Sequence, residues 1–180
     1  VMVISRTFKI TWEQKHVELE WNGYLEQGKS YEIMKNPFPD SRIISMNSTL
    51  VLARDILPIM WPEDNFTLSI RVPSSGWNIF SSTTHDNITQ NASTTILKNQ
   101  MNAYPESGYT ISADSSEELL YSLLNQAGQR FGQGDWIWTI TADECHPDIP
   151  IDGIDPDQGN DWKLVIDFLV LVPRISEIGI

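Results

Sequence analysis

The sequence predicts a mainly β chain, an antiparallel sandwich or jelly-roll-like fold with one amphipathic helix, about residues 115–131, docked on it. Three observations carry this expectation. Apolar and polar residues alternate with period two in several runs, turn-forming residues separate the runs, and one stretch alone has helical periodicity. At 180 residues the chain suits one β-rich domain spanning residues 1–180.

The elements follow in order. Phe8, Ile10 and Trp12 alternate with Thr7, Lys9 and Thr11, and Val17, Leu19 and Trp21 alternate with His16, Glu18 and Glu20. Each run puts one apolar face on a core and one polar face in water. Asn22-Gly23 then reads as a tight hairpin turn, because both residues tolerate positive φ. Tyr31–Met34, Arg42–Met46 and Tyr109–Ala113 are weaker strand candidates. Ser48–Leu57 fits a short helix or a strand equally well, and Pro58 ends either. Phe66, Leu68, Ile70 and Val72 form a clear alternating run.

Residues 74–102 differ in composition. They are rich in Ser, Thr and Asn, with Asp86 and Lys98 the sole acidic and basic residues, and they read as a long polar loop or arm. The helix follows: Leu119, Leu120, Leu123, Leu124 and Ala127 share one face, Ser115 and Glu118 form a capping box, and Gly132 and Gly134 supply the stop. Trp136, Trp138 and Ile140 begin another strand. In WKLVIDFLVLV both faces become apolar after Asp167, which suggests a strand covered on each side, and Pro173 is expected to end it.

Composition excludes several functions. A net charge of −12, with twelve basic residues spread thinly, is wrong for a nucleic-acid partner, because phosphate binding needs clustered Lys and Arg. The longest aliphatic-aromatic run, FLVLV, is far short of the roughly 20 residues that a spanning helix needs. No basic segment followed by an apolar one opens the chain, so no signal peptide is expected. Val1 leaves the native start open. The single cysteine, Cys145, excludes an internal disulfide. It suits a reducing compartment, and equally a virion or extracellular surface protein.

Catalytic motifs are wanting. Cys145 and His146 are neighbours whose side chains diverge in an extended chain, and His16 and His85 fall on an exposed strand face and in the polar loop. There is no nucleophile elbow and no glycine-rich phosphate loop ahead of a helix. Glu18 and Glu20 share a strand face, so paired-carboxylate hydrolysis is a third-ranked reading. Of seven tryptophans, Trp12, Trp21, Trp136 and Trp138 sit on apolar strand phases and belong to the core. Trp61 and Trp77 stand beside Pro62 and Gly76 in loops, where they are candidates for a ligand or partner surface. Asn47, Asn65, Asn87 and Asn91 head glycosylation sequons.

The one concentrated chemical feature is acidic. No Lys or Arg occurs between Phe131 and Trp162, while Asp135, Asp143, Glu144, Asp148, Asp152, Asp155, Asp157 and Asp161 do. Asp155, Asp157 and Asp161 have the first spacings of a calcium loop. Gly159 and Ile166 stand where further oxygen ligands belong, so an EF-hand is excluded. An irregular calcium site, a dock for a basic partner and a solvated turn remain as readings. No other cofactor is indicated.

The sequence therefore reads as a non-enzymatic structural or recognition protein, a subunit of a larger assembly such as a virion or surface structure. The polar 74–102 segment and the apolar ISEIGI end are its candidate contacts with protein partners or further copies. A carbohydrate-binding module, calcium-dependent in one form, is the alternative.

Overall fold

A computed structural model describes residues 6–52, 64–73, 78–85, 91–96, 102–126, 129–145 and 159–179, with 78–85 and 91–96 described by main chain alone. Its strands are β1 (Arg6–Glu26), β2 (Ser30–Lys35), β3 (Arg42–Leu52), β4 (Asp64–Arg71), β5 (Asn78–His85), β6 (Asn91–Ile96), β7 (Tyr109–Ala113), β8 (Trp136–Glu144) and β9 (Gly159–Glu177), and its helix is α1 (Ser116–Leu124). They form two antiparallel sheets, β6-β3-β9-β1-β7 and β2-β8-β4-β5.

The pairing is nested: β4 with β5, β3 with β6, β2 with β8, β1 with β9. A long ribbon folded at β4–β5 and rolled so that successive pairs fall in opposite sheets gives this order. That is the jelly roll, and the predicted fold class holds. β7 and α1, inserted between β6 and β8, add to the outer edge of the first sheet.

Alternation puts the core between the sheets. β3 and β9 supply Met46, Leu50, Leu52, Leu164, Ile166 and Phe168; β4 and β8 supply Phe66, Leu68, Ile70, Trp136, Trp138 and Ile140, all buried. A smaller cluster of Phe8, Ile10, Leu119 and Leu123 lies under α1, flanked by Trp12, Tyr109 and Ile175. Leu171 and Pro173 are also buried, so β9 is covered on both faces as its sequence predicts.

Several local expectations are corrected. The two runs 8–12 and 17–21 belong to one strand, in continuous register with β9 from Phe8 to Glu26. Even-numbered residues meet α1 in its first half; odd-numbered ones meet the second sheet in its second half. The phase break marks a change of covering partner, not a turn. Asn22-Gly23 accordingly lies inside β1. Gly23 is opposite Trp162, and a Cβ there would stand 2.9 Å from the indole, so the glycine makes room for a ring. The turn comes later, at Gly28 with φ 79°.

Pro173 does not end β9. It pairs with Trp12 at a position whose nitrogen points away from β1, and β3 reaches no further than Leu171, so no ladder bond is lost. The undecided 48–57 stretch continues β3 to Leu52, with 53–57 outside the described residues. The 74–102 segment contains β5 and β6. The helix closes early: Asn125 is its C-cap, its N–H and Nδ2 both donating to the Tyr121 carbonyl, at 3.1 and 2.7 Å. The ISEIGI end is not left over either, since β9 continues through it to Glu177 and the Ile178 N–H donates to Thr7 O at 2.8 Å.

Candidate functional site

Of the predicted metal and ligand residues, the structure describes Asp161 alone. Asp161 is exposed near the start of β9, opposite Tyr24, while Asp155, Asp157, Trp61 and Trp77 lie outside the described residues. Glu18 and Glu20 do share the outer face of β1, but that face is open, and Glu20 is held by Lys163 at 3.1 Å. His16 stands 3.8 Å from Asp167 on the same face. Cys145 is 2% exposed, its N–H donating to Gln27 Oε1. His146 is outside the described residues. No group of three or more His, Cys, Asp or Glu side chains that could hold a metal occurs among the described residues.

Between the sheets, the described side chains of β8 and β9 pack as an aromatic layer. Trp136 and Trp138 stack at 5.6 Å, and Phe168 meets both edge-on at 5.2 and 6.1 Å. Their indole N–H groups donate to Gly132 O and Ser48 Oγ, so these wide rings are buried without a polar penalty. Asp64 and Asn160 form a buried pair at 2.9 Å near the ends of β4 and β9.

Beneath α1 sits a buried cation that sequence reasoning missed. A bulge between Ile43 and Ser45 in the β3–β9 pairing turns Arg42 from the aromatic core to the helix face. Its guanidinium lies 4.8 Å over the Trp12 ring and reaches Ala103 O, Leu123 O and Gln126 Oε1 at 3.3, 3.4 and 3.1 Å. Burial lowers the Arg42 pKa, and no carboxylate among the described residues pairs with it. Its work is structural: it fastens the Leu123 carbonyl at the helix C-terminus, where a positive charge is favourable, and stacks on Trp12. The signal was present in the three-residue run Arg42-Ile43-Ile44, which breaks the alternation by one residue.

Two features stand out on the outside of the sandwich among the described residues. One is a groove of about 490 Å³ between α1 and the β2–β3 connection, lined by Asp40, Glu117, Leu120, Tyr121 and Arg130 among others, with Tyr121 71% exposed. The other is the edge of β1. β7 pairs only with Arg6–Ile10, and Trp12 N–H is taken by Ser107 Oγ at 3.2 Å. From Glu13 to Gly23 no strand among the described residues pairs with that side.

Which groups line the edge follows from parity. Ile10 O accepts from Gly108, on the β7 side, while Thr7 O accepts from Ile178, on the β9 side. The β1–β9 register has no shift. Odd residues therefore hydrogen-bond β9, and Gln14, His16, Glu18, Glu20 and Asn22 direct N–H and C=O outward. The open edge is about 35 Å long at roughly 3.3 Å per residue.

No family model matches the sequence. No curated protein sequence matches it. Among solved structures, the chain is similar to one in the structure of Cocksfoot mottle virus, with a TM-score of 0.38 and 7% identity, covering 89% of this chain and 94% of that one. It is also similar to one in the structure of infectious bursal disease virus, Gx strain, with a TM-score of 0.22 and 11% identity over 94% of this chain and 41% of that one.

Among the described residues, no helix is long and apolar enough to cross a membrane.

Proposed function

We propose that the protein is a non-enzymatic structural subunit of a larger assembly, of the kind that builds a virion or surface structure. Viral capsid, lectin and cupin domains share the jelly roll, so the fold alone does not choose among them. The observation that carries the reading is the edge of β1 from Glu13 to Gly23, eleven residues whose outward main-chain groups meet no strand among the described residues. A long flat edge is a template for another chain, and proteins that stay alone usually cover or distort it. Sedimentation and electron microscopy of the chain across a wide concentration range test this. Discrete oligomers or particles are expected, and a monomer throughout would sink the reading.

The α1 groove favours carbohydrate binding as a second reading. Tyr121 offers an exposed ring for stacking, and Asp40, Glu117 and Arg130 surround it with hydrogen-bonding groups. On a glycan array, Tyr121→Ala should abolish binding if the groove is the site, and Trp61→Ala or Trp77→Ala if the loop tryptophans are. An empty array for the unaltered chain removes this reading.

A further inference from the structure

We propose that the edge of β1 from Glu13 to Gly23 receives an extended segment of another protein, in which basic and apolar residues alternate. The segment adds a strand to the β6-β3-β9-β1-β7 sheet. This rests on the assembly reading above, which makes the edge a contact, and names the chemistry of what the contact takes.

The main chain sets the mode of binding. Gln14, His16, Glu18, Glu20 and Asn22 turn their N–H and C=O away from β9, enough for about ten bonds to an added strand. No described strand meets these groups, and β1 runs past them without proline or bulge, two devices that commonly blunt an edge. In strand addition of this kind, main-chain bonds give affinity and alternate side chains give specificity. The space is bounded at one end. Ser107 takes the Trp12 N–H at 3.2 Å, and beyond it β7 occupies the side of Arg6–Ile10. A strand running on past Trp12 would collide with β7, so the edge suits a segment of about nine residues, roughly 30 Å long.

Side chains set the chemistry of the segment. Adjacent strands carry their side chains in step, so each residue of the segment lies beside one phase of β1. On the odd phase Val17, Leu19 and Trp21 are half-buried and pack on the core, with Trp21 stacked on Trp138 at 6.4 Å. Apolar residues of the segment cover what these three leave exposed. On the even phase stand Glu18 and Glu20, with Asp167 of β9 directly opposite Glu18. Like charges so placed repel. Lys163 answers Glu20 at 3.1 Å, and His16 lies 3.8 Å from Asp167, while no cation among the described residues pairs with Glu18. A Lys or Arg of the segment beside Glu18 relieves this repulsion, and an acid there would deepen it.

The chain's own edge strands do not offer such a segment. Outermost in the two sheets are β6 and β7, β2 and β5. β5, β6 and β7 contain no Lys or Arg, and β2 has Glu32 between Tyr31 and Ile33. A second β1 would bring the same carboxylates. Copies of the chain can still meet here through main-chain bonds, but a complementary segment of a different protein should displace them.

Three capped synthetic peptides of about nine residues test this on the full chain: Lys and Val alternating, the same residues with the lysines grouped, and Glu and Val alternating. The alternating basic peptide should bind about tenfold more tightly than either of the others. Amide exchange followed by NMR reports where it binds. At a concentration low enough for a monomer, the N–H groups of Gln14, His16, Glu18, Glu20 and Asn22 should exchange quickly. The basic peptide should slow them about tenfold, leaving the odd neighbours, already held by β9, unchanged. Glu18→Lys should keep the circular dichroism spectrum and turn the preference toward the alternating acidic peptide. Glu18→Pro, which removes an outward N–H and spares the β9 ladder, should weaken binding on the order of 100-fold. Equal binding of the grouped or acidic peptide, or an unchanged preference in Glu18→Lys, overturns the segment's chemistry. Binding that leaves the five amides fast, amides already slow in the free monomer, or no binding at all overturns the edge as its site. Oligomers that form while refusing the basic peptide overturn this inference and leave the assembly reading standing. A chain that is monomeric at every concentration, yet takes the basic peptide on these amides, does the reverse.

Discussion

Gly23 and Trp162 face one another across β1 and β9, and their contact shows how a residue can mislead when read with its neighbour alone. Asn-Gly favours a turn because both residues accept positive φ. Here the missing Cβ matters more than φ. The ring of Trp162, 3% exposed, occupies the place a side chain would take, and Tyr31 packs on it with centroids 5.5 Å apart. Gly23→Ala should therefore cost about 1–3 kcal/mol in urea unfolding, as overpacking does. In a Trp162→Leu background the same substitution should cost much less. A strained turn would give equal losses in both backgrounds, so the double-mutant comparison separates the two causes. Arg42 was missed for a related reason: its placement depends on a bulge one residue away, which only the broken alternation of Arg42-Ile43-Ile44 signals. Trp136 and Trp138 were legible, since i and i+2 in a strand share a face and two indoles on one face need a core.

At the scale of the element, the sequence was most informative where one strand faces one partner. β4 appears where alternation predicted it, and β7 at a weaker strand candidate, Tyr109–Ala113. β1 was divided in two because its cover passes from α1 to the second sheet, leaving Glu13-Gln14-Lys15-His16 exposed between two apolar phases. β5 and β6, NIFSSTTH and NASTTI, carry no sustained apolar phase. Their remaining signal was Thr, whose branched Cβ favours strands. The long β1–β9 ribbon is also laced by surface ion pairs, Arg6 with Glu177 at 2.8 Å and Arg174 with Glu13 at 2.5 Å. The side-chain hydrogen bond from Arg174, then its charge, holds the Glu13 carboxyl below its ordinary 4.5, and the hydrogen bond from Arg6 lowers Glu177 likewise. A depressed folded pKa contributes stability above the unfolded value, lost as pH falls through the folded one. Glu13→Gln should thus melt slightly below the unaltered chain at pH 7, and the two melting curves should meet once pH has dropped below the folded carboxyl's value. The gap at pH 7 should be small, because both partners are exposed. A gap that persists unchanged into acid would mean that Glu13 acts through something other than Arg174.

Over the whole molecule, charge is distributed as unevenly as hydrophobicity is evenly layered. The ion pairs above join β1 to β9, whereas the stretch from Phe131 to Trp162 holds eight of the twenty-four acids and neither Lys nor Arg. Of these, Asp143 accepts from Thr67 at 2.5 Å, and Asp161 stands exposed at the start of β9. Crowding such charges at one region of a chain of net −12 raises a repulsion that any dissolved cation relieves by screening. A calcium site built from Asp155, Asp157 and Asp161 would behave differently. It would stabilise by mass action, by about 2.7 kcal/mol at a hundredfold excess over its dissociation constant, and magnesium, which keeps its waters, would not replace calcium. Melting in calcium, magnesium and sodium chlorides at matched ionic strength separates the two. We expect equal upward shifts in all three salts, unchanged in Asp157→Asn, because Gly159 and Ile166 supply no side-chain oxygen where a calcium loop needs one. A larger shift in calcium alone, abolished by Asp157→Asn, would instead establish the site and give the carbohydrate reading its cation.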